Sequence, residues 1–177
     1  MSLIVNTYNC KTRDQLVVLS EIPVHADPSL IWNTLTTSQH LLRFNPFIIS
    51  HEKGEVDGNG YEDCCTYENG KVLFRQVVEY EEGCKIKYRV NYADQFHNSF
   101  TCFEVVRKGE QVFFRLTLLT DAYRRVPRPI WHLVAYLVLL PSLKKYLNAV
   151  VKGMKHYCET ETEVYTNQFG SHRGFSA

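Results

Sequence analysis

At 177 residues, with 45% hydrophobic and 22% charged side chains, the chain has the size and composition of one soluble globular domain, which excludes a disordered polyelectrolyte. A net charge of +1 provides no global field for nucleic acid, so none is expected as a partner and any electrostatic role must come from local clusters. The opening MSLIVNTYNCK lacks a basic segment followed by a long apolar one, and Ser2 stands where myristoylation requires glycine, so neither a signal peptide nor that anchor is expected. The cysteines include no Cys-x-x-Cys pair, and Cys64 and Cys65 are adjacent in a strand-like run, which points them to opposite faces. Free thiols and a cytoplasmic location are the expectation.

In chain order, QLVVLSEIPVHA reads as a strand ending at Asp27-Pro28, with Asp as N-cap and Pro at the first helical position. The segment PSLIWNTLTTSQHLLRF then gives two short helices, broken near Thr37-Ser38, with Ser38 as the cap of the second. Asn45-Pro46 closes the unit, because a residue before Pro avoids the helical region. From Phe47 to Thr120, turn signals recur at Asp57 to Gly60, Glu68 to Lys71, Glu81 to Cys84 and Lys108 to Gln111, with a less obvious one at Ala93 to Gln95. They divide the stretch into a six-strand antiparallel meander. After Pro141, Leu143, Tyr146, Leu147, Val150, Val151, Met154, Tyr157 and Cys158 form the apolar stripe of a long amphipathic helix. Residues 166–177 read as a flexible tail and 1–14 as an N-terminal extension, leaving 15–165 as the domain.

This order, with EIPVHADPSLIWNTLTTSQHLLRFNPF at one end and LKKYLNAVVKGMKHYCE at the other, resembles the START-like (SRPBCC) superfamily. Its polyketide cyclase/dehydrase and lipid-transport branch is the nearest in pattern. The resemblance runs from about Leu16 to Glu163 and rests on Ala26-Asp27-Pro28 and Ile31-Trp32, with Phe44-Asn45-Pro46 where a Trp-x-Pro commonly stands. It implies an α+β helix-grip fold: a curved seven-stranded antiparallel sheet wrapped around the C-terminal helix, with two short helices after the first strand. It also implies a cavity between sheet and helix that holds an apolar or amphipathic ligand.

Alternation assigns the inner face. Ile86, Tyr88, Val90 and Tyr92 share it with Val112, Phe114, Leu116 and Leu118, and with His97, Ser99, Thr101, Phe103 and Val105. For KVLFRQVVEY, a two-residue loop at Glu82-Gly83 turns Leu73, Arg75 and Val77 inward, whereas a three-residue loop turns in Phe74, Gln76 and Val78. A two-residue Asn69-Gly70 turn favours the second set, on one face with Cys65 and Tyr67, and sets Gln76 opposite Asp63 and Tyr88. The candidate ligand-binding residues are therefore Asp63, Tyr67, Phe74, Gln76, Tyr88, Val90, Tyr92, His97, Ser99, Thr101, Phe103, Phe114 and Leu116, with Trp131, Tyr146, Val150 and Met154 from the C-terminal region.

There is no GxSxG, HExxH, P-loop or GxGxxG motif, and no His pair at metal-ligating spacing, so neither metal nor cofactor is expected. Binding or transport of a lipid, sterol or polyketide-like molecule is the leading functional expectation. A cyclase or dehydratase using Asp63, Tyr88 and His97 as acid/base groups is the alternative, the buried Asp63 having its pKa raised by desolvation. A protein-interaction module is a third reading. The run Ile130 to Leu140, nearly all apolar and flanked by Arg124, Arg125, Arg128, Lys144 and Lys145, is too short to span a bilayer before Pro141 breaks it. It fits an extra core helix, a cavity lid or a transient membrane-surface contact. A monomer or weak dimer is expected.

Overall fold

The computed structural model describes residues 5–12, 15–53, 63–92, 95–120 and 127–177. Eight strands form one antiparallel sheet: β1 (Val5–Thr12), β2 (Gln15–Val24), β3 (Ile48–Lys53), β4 (Asp63–Tyr67), β5 (Val72–Glu81), β6 (Lys85–Tyr92), β7 (Gln95–Lys108) and β8 (Gln111–Thr120). Their spatial order is β1-β2-β8-β7-β6-β5-β4-β3. The seven expected strands are present, and the N-terminal extension supplies an eighth by pairing with β2 at the sheet edge. Two short helices, α1 (Pro28–Thr36) and α2 (His40–Phe44), follow β2. Asp27 caps α1 by accepting from the Ser29 N–H at 2.8 Å, with Pro28 at its first turn. Ser38 does not cap α2. Gln39 occupies the cap position in the left-handed region (φ 56°) and gives no side-chain bond, so a backbone kink, not a hydroxyl, starts that helix.

A helical run then extends from Trp131 to Thr160: α3 (Trp131–Val134), a π-helical turn (Ala135–Leu139) and α4 (Leu140–Thr160). Pro141 was expected to break the helix and does not. The preceding ladder has i+5 spacing, with the Leu140 N–H donating to the Ala135 carbonyl, and Pro141 falls in the first turn of the α-helical ladder that follows. A residue without an N–H is tolerated at such a junction.

The long helix α4 lies on β2 and β8. Leu143, Leu147, Val150, Val151 and Met154 are buried there against Val18 and Ile22 of β2, Phe103 of β7, and Phe114 and Leu116 of β8. Phe44 closes the group, its ring 6.2 Å from those of both Phe103 and Phe114. Gly153 lets α4 pass the Phe44 carbonyl: a Cβ there would lie 1.9 Å from that oxygen.

Residues 166–177, expected as a flexible tail, fold back onto the β4–β5 hairpin. Asn69 Nδ2 and Lys71 Nζ both donate to the Gly174 carbonyl, at 2.7 and 2.9 Å. The Phe175 ring stacks 4.5 Å from that of Tyr67. Hydrophobic cover for two tyrosines outweighs the polar composition that made the segment look frayed.

Candidate ligand site

The inward set of β5 is Leu73, Arg75 and Val77, not Phe74, Gln76 and Val78. Two local features cause the difference. The β4–β5 connection is a three-residue loop, Glu68-Asn69-Gly70, with the Gly70 N–H donating to the Tyr67 carbonyl at 2.9 Å and Gly70 at φ 80°. That register sets Asp63 opposite Arg75 and Cys64 opposite Phe74. The β5–β6 loop also has three residues, but a bulge between Val77 and Glu79 adds an extra residue and reverses the parity. Val77 therefore faces Tyr88, and Gln76 lies opposite Arg89 on the other face. A single-residue slip flips every side chain of a strand, so one unrecognised bulge changes the whole assignment.

A cavity of about 320 Å³ opens between the α1–α2 unit and strands β3 to β6. Leu35, Val77, Tyr80, Ile86 and Tyr88 give it an apolar wall, while Thr37, Gln39, His40, His51 and Asp63 line its polar end. Behind that end lies Arg75, only 3% exposed and not itself part of the lining. Arg75 Nε donates to Asp63 Oδ1 at 2.7 Å and Nη2 to Oδ2 at 2.6 Å, a two-point ion pair. The guanidinium carbon sits 4.3 Å from the centre of the Tyr88 ring, adding a cation–π contact.

Two histidines complete the cluster, their rings edge to face at 4.8 Å. His40 Nδ1 donates to the Thr37 carbonyl at 3.0 Å, which leaves Nε2 as an acceptor 3.4 Å from Arg75 Nη2. His51 Nε2 lies 3.2 Å from Asp63 Oδ2 and 3.1 Å from Arg75 Nη2. It donates to the first or accepts from the second, depending on tautomer, and in both cases the buried Nδ1 has no partner among the described residues.

Burial, then the adjacent Arg75 charge, hold the His40 pKa down to about 3, so the ring is neutral near pH 7. Burial alone would raise the pKa of Asp63, as the sequence suggested. Hydrogen bonds from His51 and Arg75, with the Arg75 charge, reverse that and hold it at about 2. Asp63 is thus a permanent counter-ion, not a carboxyl poised near neutrality. With Arg75 ionised and His40 neutral, the ion pair itself is charge-balanced.

Of the residues proposed from sequence, Asp63 and Tyr88 line this cavity. Phe74 and Gln76 point to the opposite face. Tyr67, Val90, Phe103, Phe114, Leu116, Val150 and Met154 are buried in the core, with Tyr92 and Tyr146 packed against it. The Tyr67 and Tyr146 hydroxyls lie 2.9 Å apart, and burial pushes the pKa of both phenols up. Ser99 is satisfied by Thr120, oxygen to oxygen at 2.9 Å, and Thr101 lies in register between Tyr88 and Leu118. Trp131 is buried, its Nε1 without a partner among the described residues. The His97 side chain, Arg124, Arg125 and the Asp57 to Gly60 turn lie outside the described residues. Sequence reasoning missed His40 and His51, and left Arg75 in the less favoured of the two inward sets for β5. The signal for Arg75 was present: a three-residue Asn-Gly loop places it opposite Asp63, an opposite-charge cross-strand pair.

No protein-family model matches the sequence, and no curated protein matches it. Among solved structures the chain is similar to a START superfamily protein from Mycobacterium smegmatis, with TM-score 0.62 and 18% identity over 82% of this chain and 99% of that one. It is similar also to the major latex-like protein 151 of Panax ginseng, with TM-score 0.60 and 13% identity over 82% and 98% of the two chains. A third is CalU16 from Micromonospora echinospora, with TM-score 0.55 and 8% identity over 88% and 83%. These likenesses establish the fold: the chain has the START-like helix-grip architecture that its sequence resembles.

Proposed function

We propose that the protein binds an amphipathic small molecule in the cavity between the α1–α2 unit and strands β3 to β6. The observation that carries this reading is a buried ion pair with two histidines, set at the polar end of a cavity of about 320 Å³ whose other wall is Leu35, Val77, Tyr80, Ile86 and Tyr88. A few placed polar groups in an apolar cleft orient a ligand that is apolar over most of its length. The START superfamily name of one structural neighbour supports the same reading. The acceptor presented to the cavity is the Asp63 carboxylate, with Arg75 behind it, so the preferred polar end is a neutral hydrogen-bond donor such as an alcohol. A ligand carboxylate would meet Asp63 as a like charge. The low pKa of Asp63 weighs against its use as a general base, and so favours binding over cyclase-type catalysis.

Calorimetric titration with decanol and with decanoate at neutral pH tests this. Decanol is expected to bind at least about tenfold more tightly, and Ser38→Trp at the exposed cavity rim to weaken it by about tenfold. Equal affinity for the two ligands would remove the donor preference. If neither ligand binds and native mass spectrometry of gently purified protein shows no apolar adduct, the binding reading fails.

A further inference from the structure

The helical run that begins at Trp131 is apolar on both sides, but only one side is used by the fold. Trp131, Ala135 and Leu140 are buried. A regular helix would put Leu139 beneath Ala135; the π-helical turn advances the buried stripe by one residue to Leu140, leaving Leu139 half-buried. On the outward side Ile130, Leu133, Leu137 and Val138 are exposed, Leu133 at 62% and Leu137 at 67%. Large aliphatic side chains grouped this way on one face mark an interaction surface. None of the residues from Ile130 to Leu140 lines the described cavity, so the lid expectation does not account for them.

Charge identifies the partner. In sequence the apolar run is flanked by Arg124, Arg125 and Arg128 before it and by Lys144 and Lys145 after it, and no acidic residue occurs between Asp121 and Glu159, although the whole chain is nearly neutral. We propose that this outward face docks on the surface of an anionic lipid bilayer, with the aliphatic side chains entering the interface and the basic residues that flank the run in sequence attracted to the head groups. Two copies meeting through the same face would bring like charges together, which disfavours self-pairing. By length and composition the continuous helix Trp131–Thr160 could cross a bilayer, but its α4 half packs into the hydrophobic core, with Leu143, Leu147, Val150, Val151 and Met154 buried, so the exposed face is assigned to the bilayer surface and not to a span. This inference does not depend on the cavity reading.

Co-sedimentation with phosphatidylcholine vesicles, with and without phosphatidylserine, tests it on the full-length protein. Binding is expected to the phosphatidylserine vesicles, to weaken as salt is raised, and to fall roughly 100-fold in Leu133→Asp/Leu137→Asp. Both positions are exposed, so an unchanged thermal midpoint and an unchanged far-UV circular dichroism spectrum should confirm that the variant is folded. Wild-type protein that ignores phosphatidylserine vesicles, or a folded variant that binds them as well as wild type, would overturn the proposal. So would a wild-type dimer that the double substitution converts to monomer without any vesicle binding, which would assign the face to a second copy.

Discussion

The two halves of the concave sheet face are held by different physics. Under α4, strands β2, β7 and β8 meet the helix through Phe44, Phe103, Phe114, Leu116 and Met154, which interlock without ionised groups among them. Under α1 and α2, strands β3 to β6 enclose Asp63, Arg75, His40 and His51 beside open space. Apolar contacts are non-directional, so the first half depends on volume and tolerates any register that keeps the inner face apolar. The second half depends on stoichiometry. A buried ion pair roughly cancels its desolvation cost only while both partners are present, so its contribution is to specify geometry more than to stabilise. This is the arrangement a recognition site requires.

The sharpest way to break this contrast is to remove one partner. Arg75→Met leaves the Asp63 charge in a largely buried site and is expected to cost about 3–5 kcal/mol, whereas Asp63→Asn/Arg75→Met should recover most of the loss. Denaturant titration of the two variants measures the difference. A single variant as stable as the double would mean that the four groups do not act as a unit.

A second effect follows from titration. A neutral His40 with a folded pKa of about 3, against 6.5 when unfolded, binds its proton more readily in the unfolded state. Its contribution is therefore full above pH 6.5 and is lost as pH falls toward 3, by up to about 1.4 kcal/mol per pH unit. Asp63, held at about 2 against 3.8, extends the loss below pH 3.8 with the same sign. Unfolding free energies measured from pH 7 to 4 should decline in the wild type and flatten in His40→Gln. An unchanged slope in that variant would place the titrating group elsewhere.

The smallest effect belongs to the C-terminal segment. Phe175→Ala removes a half-buried ring from Tyr67 and Tyr146 and should cost about 1–2 kcal/mol, with decanol affinity unchanged because Phe175 does not line the cavity. Altered decanol binding would show that the aromatic cluster and the cavity are coupled.

Several elements were legible from sequence because their signals are local. Asp27-Pro28 opens α1, alternation in β6, β7 and β8 assigns their inner faces, and the 3.6-residue stripe of α4 identifies the core helix. Asp63 and Tyr88 were legible as polar or half-polar residues on strands facing an apolar cover. The inner face of β5 was not, because it depends on the parity of two loops and a bulge, and Asn-Gly fits both a two-residue and a three-residue turn. Arg75 reads as outward from the sequence because a two-residue Asn69-Gly70 turn puts Phe74 on the aromatic, inner face with Cys65 and Tyr67. Only tertiary pairing with Asp63, and proximity to His40 from α2 and His51 from β3, makes its burial tolerable. The sequence by itself determined the helices and strands from β2 to α4 and the apolar faces of β6, β7, β8 and α4, since those preferences act within a few residues. The tertiary structure alone decided that polar groups from three strands and a short helix would share one site, and that half of the Ile130 to Leu140 helix would remain uncovered. Both outcomes depend on which distant surfaces meet.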